Sequence, residues 1–139
     1  MEWDFVKPIK SADLIGEFEK LSGYRFCDSF RKCVLENNEG TPVKYVFDTK
    51  ETKERVFNYL LSFNREDEVN IWSYLDFWDE PAKHLAERYI VFACDPFGND
   101  ICFDKTNDKV VFIDHETLTV EEVADSFDEF INSLYEDED

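Results

Sequence analysis

Basic residues are scarce in this chain. Fifteen Lys and Arg stand against thirty-three Asp and Glu, for a formal net charge of −18 over 139 residues. Each phosphate contact needs a Lys or Arg, so this balance argues against a nucleic-acid ligand. It argues equally against anionic membranes. Glycine and proline number only four each, too few for low-complexity linkers. With two histidines and four scattered cysteines (Cys27, Cys33, Cys94 and Cys102, none in a CxxC pair), no zinc site is expected. The chain has no Gly-rich phosphate loop, no G-x-S-x-G and no H-E-x-x-H, so neither an enzyme nor a cofactor is expected. No apolar run approaches eighteen residues, and the N-terminus lacks the cationic and apolar regions of a signal peptide. A cytoplasmic protein with reduced cysteines is the expectation.

What is abundant is aromatic. Hydrophobic residues make up 43% and aromatics 17%, with fourteen Phe, enough to fold one domain spanning 1–139 despite the charge. The periodicities predict an α+β domain with a largely antiparallel mixed sheet flanked by N-terminal and C-terminal helices. Trp3 and Phe5 open an extended segment ending at Pro8. Ser11 is placed to cap a helix whose face is Leu14, Ile15, Phe18 and Leu21, and Gly23 stops it. A second helix is predicted over Asp28–Asn37, with Phe26, Phe30, Cys33 and Val34 inside, and Asn37, Asn38, Glu39 and Gly40 form a turn.

Val43, Tyr45 and Phe47 alternate as a half-buried strand. Residues 55–63 read as one strand, with Phe57, Tyr59, Leu61 and Phe63 on one face and Val56 and Leu60 on the other. Residues 70–78 fit a helical face of Ile71, Trp72, Leu75 and Trp78, broken by Pro81. Tyr89–Cys94, residues 101–103 and Val110–Ile113 form a three-stranded meander with turns at 95–100 and 105–109. Two capping-box spacings follow, Thr119 with Glu122 and Ser126 with Glu129. They predict a short helical turn, then a main helix with Phe127, Phe130, Ile131 and Leu134 inward. Residues 135–139 read as a frayed acidic tail.

The string Phe92-Ala93-Cys94-Asp95-Pro96-Phe97-Gly98-Asn99-Asp100-Ile101-Cys102-Phe103-Asp104 resembles the hairpin of SUKH (SMI1/KNR4-like) domains. Val110-Val111-Phe112 with Asp114-His115-Glu116 is similar to that family's third strand and its exit. Ala124-Asp125-Ser126-Phe127-Asp128-Glu129-Phe130-Ile131 is similar to its closing helix. Trp3, Ser11, Asp13, Leu14, Ile15, Phe18, Glu19 and Leu21 resemble the opening helix. The chain departs from the pattern at Arg25-Phe26, at the turn around Glu39, and over residues 64–85. The resemblance implies a compact α+β fold that binds other proteins. Bacterial members are mostly immunity proteins (antitoxins) of polymorphic toxin systems, often against nucleases. Fungal relatives regulate cell-wall synthesis. The family supplies no catalytic residue to carry over.

A nuclease presents a basic face to its substrate, and a strongly acidic protein can cover it. The expected partner is therefore a basic protein, a cognate toxin domain, with the chain itself a monomer or weak homodimer. From residue 116 to 139 there are ten acids and no Lys or Arg. Asp125, Asp128 and Glu129 lie opposite the apolar helix face, as a solvated surface or a docking side. Residues 72–80 mix aromatics with carboxylates. Tyr74, Asp76, Phe77, Asp79 and Glu80 either ring a binding hot spot or, for the aromatics, fill the core. Asp95, Asp100, Asp104 and Asp114 sit near strand ends without calcium-loop spacing, which favours turn capping over cation binding. Asp114 and His115 are adjacent and point to opposite faces if the strand continues, so they make a poor acid–base pair.

Overall fold

The computed structural model describes residues 1–76, 78 and 82–137. Its frame is a five-stranded antiparallel sheet of β5 (Tyr59–Leu60), β6 (Tyr89–Cys94), β7 (Asp100–Asp104), β8 (Val110–Ile113) and β9 (Val120–Ala124), paired in that order. Two small antiparallel pairs flank it: β1 (Trp3–Asp4) with β2 (Thr41–Pro42), and β3 (Val46–Phe47) with β4 (Arg55–Val56). The helices are α1 (Asp13–Ser22), α2 (Asp28–Asn37) and α3 (Phe127–Ser133), and 3-10 segments cover Ile71–Tyr74 and Ala82–Glu87. The expected α+β class with an antiparallel sheet and terminal helices is the architecture observed. None of the described helices is long and apolar enough to cross a membrane.

The meander is built from β6, β7 and β8, every residue of which is buried. One sheet face is packed by phenylalanine. Phe92 stacks on Phe103 at 4.3 Å between ring centroids, and α2 sets Phe30 edge-on to Phe103 and Phe127 at 5.1 Å each. Offset and edge-to-face pairs of this kind add to the area they bury. A bulge between Val91 and Ala93 leaves Phe92 unmatched in the β6–β7 ladder. The opposite face is buried too, with Val91 across from Cys102 and Cys94 across from Asp100. Both 3-10 segments pack against β6.

Several expected elements differ. Phe5 adopts φ 58° and turns out of line, so β1 ends at Asp4. Ser11 Oγ accepts the Asp13 N–H at 3.2 Å, but Ala12 holds the cap position. Gly23 ends α1 at φ 73°, as read. Leu21 is 64% exposed, because Phe18 at the centre of the stripe does the packing and Leu21 falls at the rim. Val43 is exposed, and the strand there shrinks to β3. Residues 55–63 are not one strand. Val56 pairs with Val46 in one small sheet while Leu60 pairs with Ala93 in the main one, so the chain changes sheets between them. The expected helical turn before Ser126 is β9, whose partner β8 supplies the hydrogen bonds that a short helix would have lacked. Tyr135 is not frayed: its N–H donates to Val46 O at 2.9 Å and its hydroxyl to Asp48 at 2.6 Å.

Loop backbone takes part of each outer edge of the main sheet. Leu60 N–H donates to Gly40 O at 3.0 Å, and Lys50 N–H donates to Glu122 O at 3.0 Å. Each such bond removes a site at which another copy would pair.

Candidate functional site

In place of the expected helix over residues 70–78, Ile71–Tyr74 form a single turn of 3-10 helix. Asn70 caps it, its side chain accepting the Ser73 N–H at 3.0 Å. Trp72 is clamped inward as expected. Its indole N–H donates to Phe63 O at 2.9 Å, its ring meets Phe18 edge-on at 5.3 Å, and the Arg65 guanidinium lies 3.5 Å over it. Trp78 is buried. The tighter helix turns Tyr74 partly inward, where burial, with the Cys94 and Asp100 side chains beside it, pushes its phenol up to about 12. Asp76 is exposed. Tyr74, Leu75 and Asp76 wall a groove of about 350 Å³ that also involves Leu21, Ala86 and Lys105. Of the same predicted cluster, Phe77, Asp79 and Glu80 lie outside the described residues, as does Pro81.

The acidic residues of the last helix occupy a different place. Ser126 caps α3, its hydroxyl accepting the Glu129 N–H at 3.1 Å, in the predicted register. Asp128 and Glu129 stand exposed in the first turn, with no ion pair among the described residues. Carboxylates there are favoured by the helix dipole. Asp128 lines a groove of about 260 Å³ between α2 and α3 that contains Lys32. Asp125 is partly compensated, 3.7 Å from Lys109 Nζ. The groove at Tyr74 and the groove at Asp128 share no lining residue, so these two predicted residues sit in different grooves.

The strand-end aspartates divide by role. Asp95 accepts the Phe97 and Asn99 N–H groups at 2.9 and 2.8 Å, and Asp114 accepts those of Glu116 and Thr117. Asp104 takes the Thr106 N–H and a two-pronged bond from Arg88. These three are turn caps and anchors, as read. Asp100 is the exception. It is 2% exposed, one of its oxygens has no hydrogen-bond partner, and burial followed by the charge of Asp95 raises its carboxyl to about 7. Among the described residues no group of three or more His, Cys, Asp or Glu could hold a metal ion. All four cysteines are free, and burial pushes the Cys33 and Cys94 thiols up to about 12 and 11, away from reactivity.

Two features escaped the sequence reading. Phe97 is 80% exposed at the tip of the β6–β7 turn, and Phe5 is 82% exposed. Phe97 had a signal: inside Asp-Pro-Phe-Gly it belongs to neither strand, so neither face of the sheet claims it. Phe5 had none, because two-residue alternation places it with Trp3, which packs edge-on to Phe57 at 5.9 Å. The other omission is a buried polar network. Asn38, Ser62, Asn64 and Asp67 are each under 10% exposed. Ser62 Oγ donates to Asp67 at 2.6 Å, Asn38 Nδ2 donates to Ser62, and Lys7 Nζ donates to Asp67 at 2.5 Å. Asn64 closes the network by donating to Pro8 O and accepting the Lys10 N–H. It fastens residues 7–10 to the loop at 62–67.

The chain matches the SUKH_6 family model, described as SMI1-KNR4 cell-wall, over residues 12–131. It belongs to the SMI1-KNR4 family. That span runs from just before α1 into α3, and so takes in the meander and the closing helix. The span also includes residues 64–85, where the sequence departed from the SUKH pattern, so the 3-10 segments and Tyr74 are part of the SUKH domain. No curated protein matches the chain.

Proposed function

We propose that this SUKH domain is an immunity protein that binds and neutralises a cognate secreted toxin, a nuclease, through its acidic surface, inside the producing cell. The observation that carries this reading is the excess of exposed carboxylates left uncompensated. Ion pairs among the described residues engage Lys7, Lys10, Arg31, Lys50, Arg55, Arg88 and Lys109. Asp76, Asp128 and Glu129 have no such pair and stand on the solvent side. Acidic fields of this kind steer basic proteins into contact and disfavour nucleic acid. The partner's basic active face is then covered by a carboxylate surface that its substrate cannot displace. Rigidity helps, since a docking surface held by capped turns and a phenylalanine core loses little freedom on binding.

Chemistry in this reading is confined to non-covalent contact. The words "cell-wall" in the family description favour a second reading, a non-catalytic adaptor or regulatory domain acting on endogenous partners in cell-wall synthesis or signalling. Co-expression separates the two. The chain is produced in cells together with the toxin domain encoded beside its own gene. Restored growth supports the immunity reading, and undiminished killing overturns it.

A further inference from the structure

Four chain segments converge on a groove of about 580 Å³ lined by Phe5, Lys7, Glu39, Thr41, Asn58, Tyr59, Asp67, Glu68 and Val69. Its floor and walls are mixed: Phe5, Tyr59 and Val69 give apolar surface, and three carboxylates face one ammonium. That ammonium, Lys7 Nζ, is held by Asp67 at 2.5 Å. Glu39 and Glu68 have no ion pair among the described residues. Glu39 sits only partly in water, and burial followed by the charge of Asp67 raises its carboxyl above the ordinary value. A cation entering the groove would offset the charge of Asp67 and favour the Glu39 carboxylate.

Backbone bonds position two of the four lining segments. Phe5 lies between β1, which pairs Asp4 with Thr41, and Lys7, whose N–H donates to Asn38 O at 2.9 Å. Glu39 lies between buried Asn38 and Gly40. A Cβ at Gly40 would come within 2.8 Å of Asn37 O, so a larger residue there would displace the turn that carries Glu39.

We propose that this groove is the docking site for a basic side chain of a polypeptide partner, whose charge meets Glu39 and Glu68 while its stem lies along Phe5 and Tyr59. The aromatic rings suit a guanidinium, which stacks on such faces while its fork reaches carboxylates. The proposal rests on the reading of the chain as the partner of a basic protein and names one place where the two would meet.

The test uses the full chain, isotope-labelled, titrated with a blocked hexapeptide of alternating Arg and Gly and followed by amide chemical shifts. The largest changes are expected at residues 5–7, 39–41, 58–59 and 67–69. The double variant Glu39→Gln/Glu68→Gln should weaken peptide binding about five- to tenfold, the sum of two rim-type pairs. Phe5→Ala, at a side chain already in solvent, should weaken it as well. Glu17→Gln/Glu87→Gln removes the same charge at two exposed positions elsewhere and should leave binding within about twofold. Shifts spread evenly over the acidic surface, or equal weakening by both double variants, would overturn the proposal. So would shifts at Phe5 and Tyr59 that track protein concentration without peptide, since a second copy would then be the occupant. In the co-expression assay, failure of the wild-type chain removes the immunity reading. Full rescue by Glu39→Gln/Glu68→Gln, with the wild type also rescuing, removes only the groove.

Discussion

Asp100 is a buried acid that the fold holds more favourably protonated than ionised. In the unfolded chain its carboxyl titrates as an ordinary aspartate near 3.9. In the fold it titrates at about 7, because burial, then the neighbouring charge of Asp95, disfavours the anion. The folded state therefore holds this proton over a range of pH in which the unfolded state has released it. Its contribution to stability is complete below pH 3.9, falls through the interval, and is fully lost above about pH 7. Between pH 5 and pH 8.5 the shift corresponds to a loss of roughly 2.5 kcal/mol.

Asp100→Asn removes the titration. The amide has its own constant cost in that pocket, so the informative quantity is the change, between the two pH values, in the stability difference between variant and wild type. Urea unfolding of both proteins at pH 5 and 8.5 measures it. The variant should gain about 2.5 kcal/mol relative to wild type on going to the higher pH. A difference that is the same at both pH values would refute the reasoning.

Asp67 carries the opposite sign. Burial alone would raise it, but bonds from Lys7, Ser62 and Asn64 outweigh that and hold its carboxyl below the ordinary range. Its stabilisation is present above the unfolded value and is lost as pH falls through the folded one. Asp67→Asn should therefore cost about 1–2 kcal/mol at neutral pH and flatten acid unfolding below pH 4. Phe30→Ala opens the centre of the phenylalanine cluster and should cost about 3–5 kcal/mol by urea unfolding, with the loss shared between α2 and the sheet. Ser126→Ala deletes the α3 cap and should cost about 1 kcal/mol, which Ser126→Asp should restore.

The parts of this fold legible in the sequence are those in which local pattern and tertiary environment agree. The β6–β8 meander is three short apolar runs separated by Asp-, Gly- and Asn-containing turns, and both of its faces are buried, so continuous hydrophobicity was the right signal. The Ser126 cap and the Gly23 stop are local devices and came through for the same reason. What failed depended on partners outside the local pattern. Residues 120–124, with two glutamates and a capping spacing, look helical alone and become a strand because β8 is there to pair. Tyr59 and Val56 belong to different sheets, which alternation cannot reveal. Tyr135 is held by Val46 and Asp48, almost ninety positions away.

At the candidate site, the aromatic content of residues 72–78 was read, and the inward placement of Trp72 and Trp78 followed from it. The groove beside Phe5 was not legible. It depends on a left-handed Phe5 and on four segments meeting through the buried Asn38–Ser62–Asp67 network, and Asp67 itself looks in the sequence like one more surface acid.

On the proposed immunity reading, the association rate of the purified chain with the toxin domain encoded beside its gene bears most directly on electrostatic docking. Stopped-flow mixing across 20 to 500 mM NaCl should show the rate constant falling by about tenfold or more, with the dissociation rate changing far less. A rate constant that stays flat across that range would mean the −18 charge has no part in recognition, and the acidic-surface mechanism would be wrong.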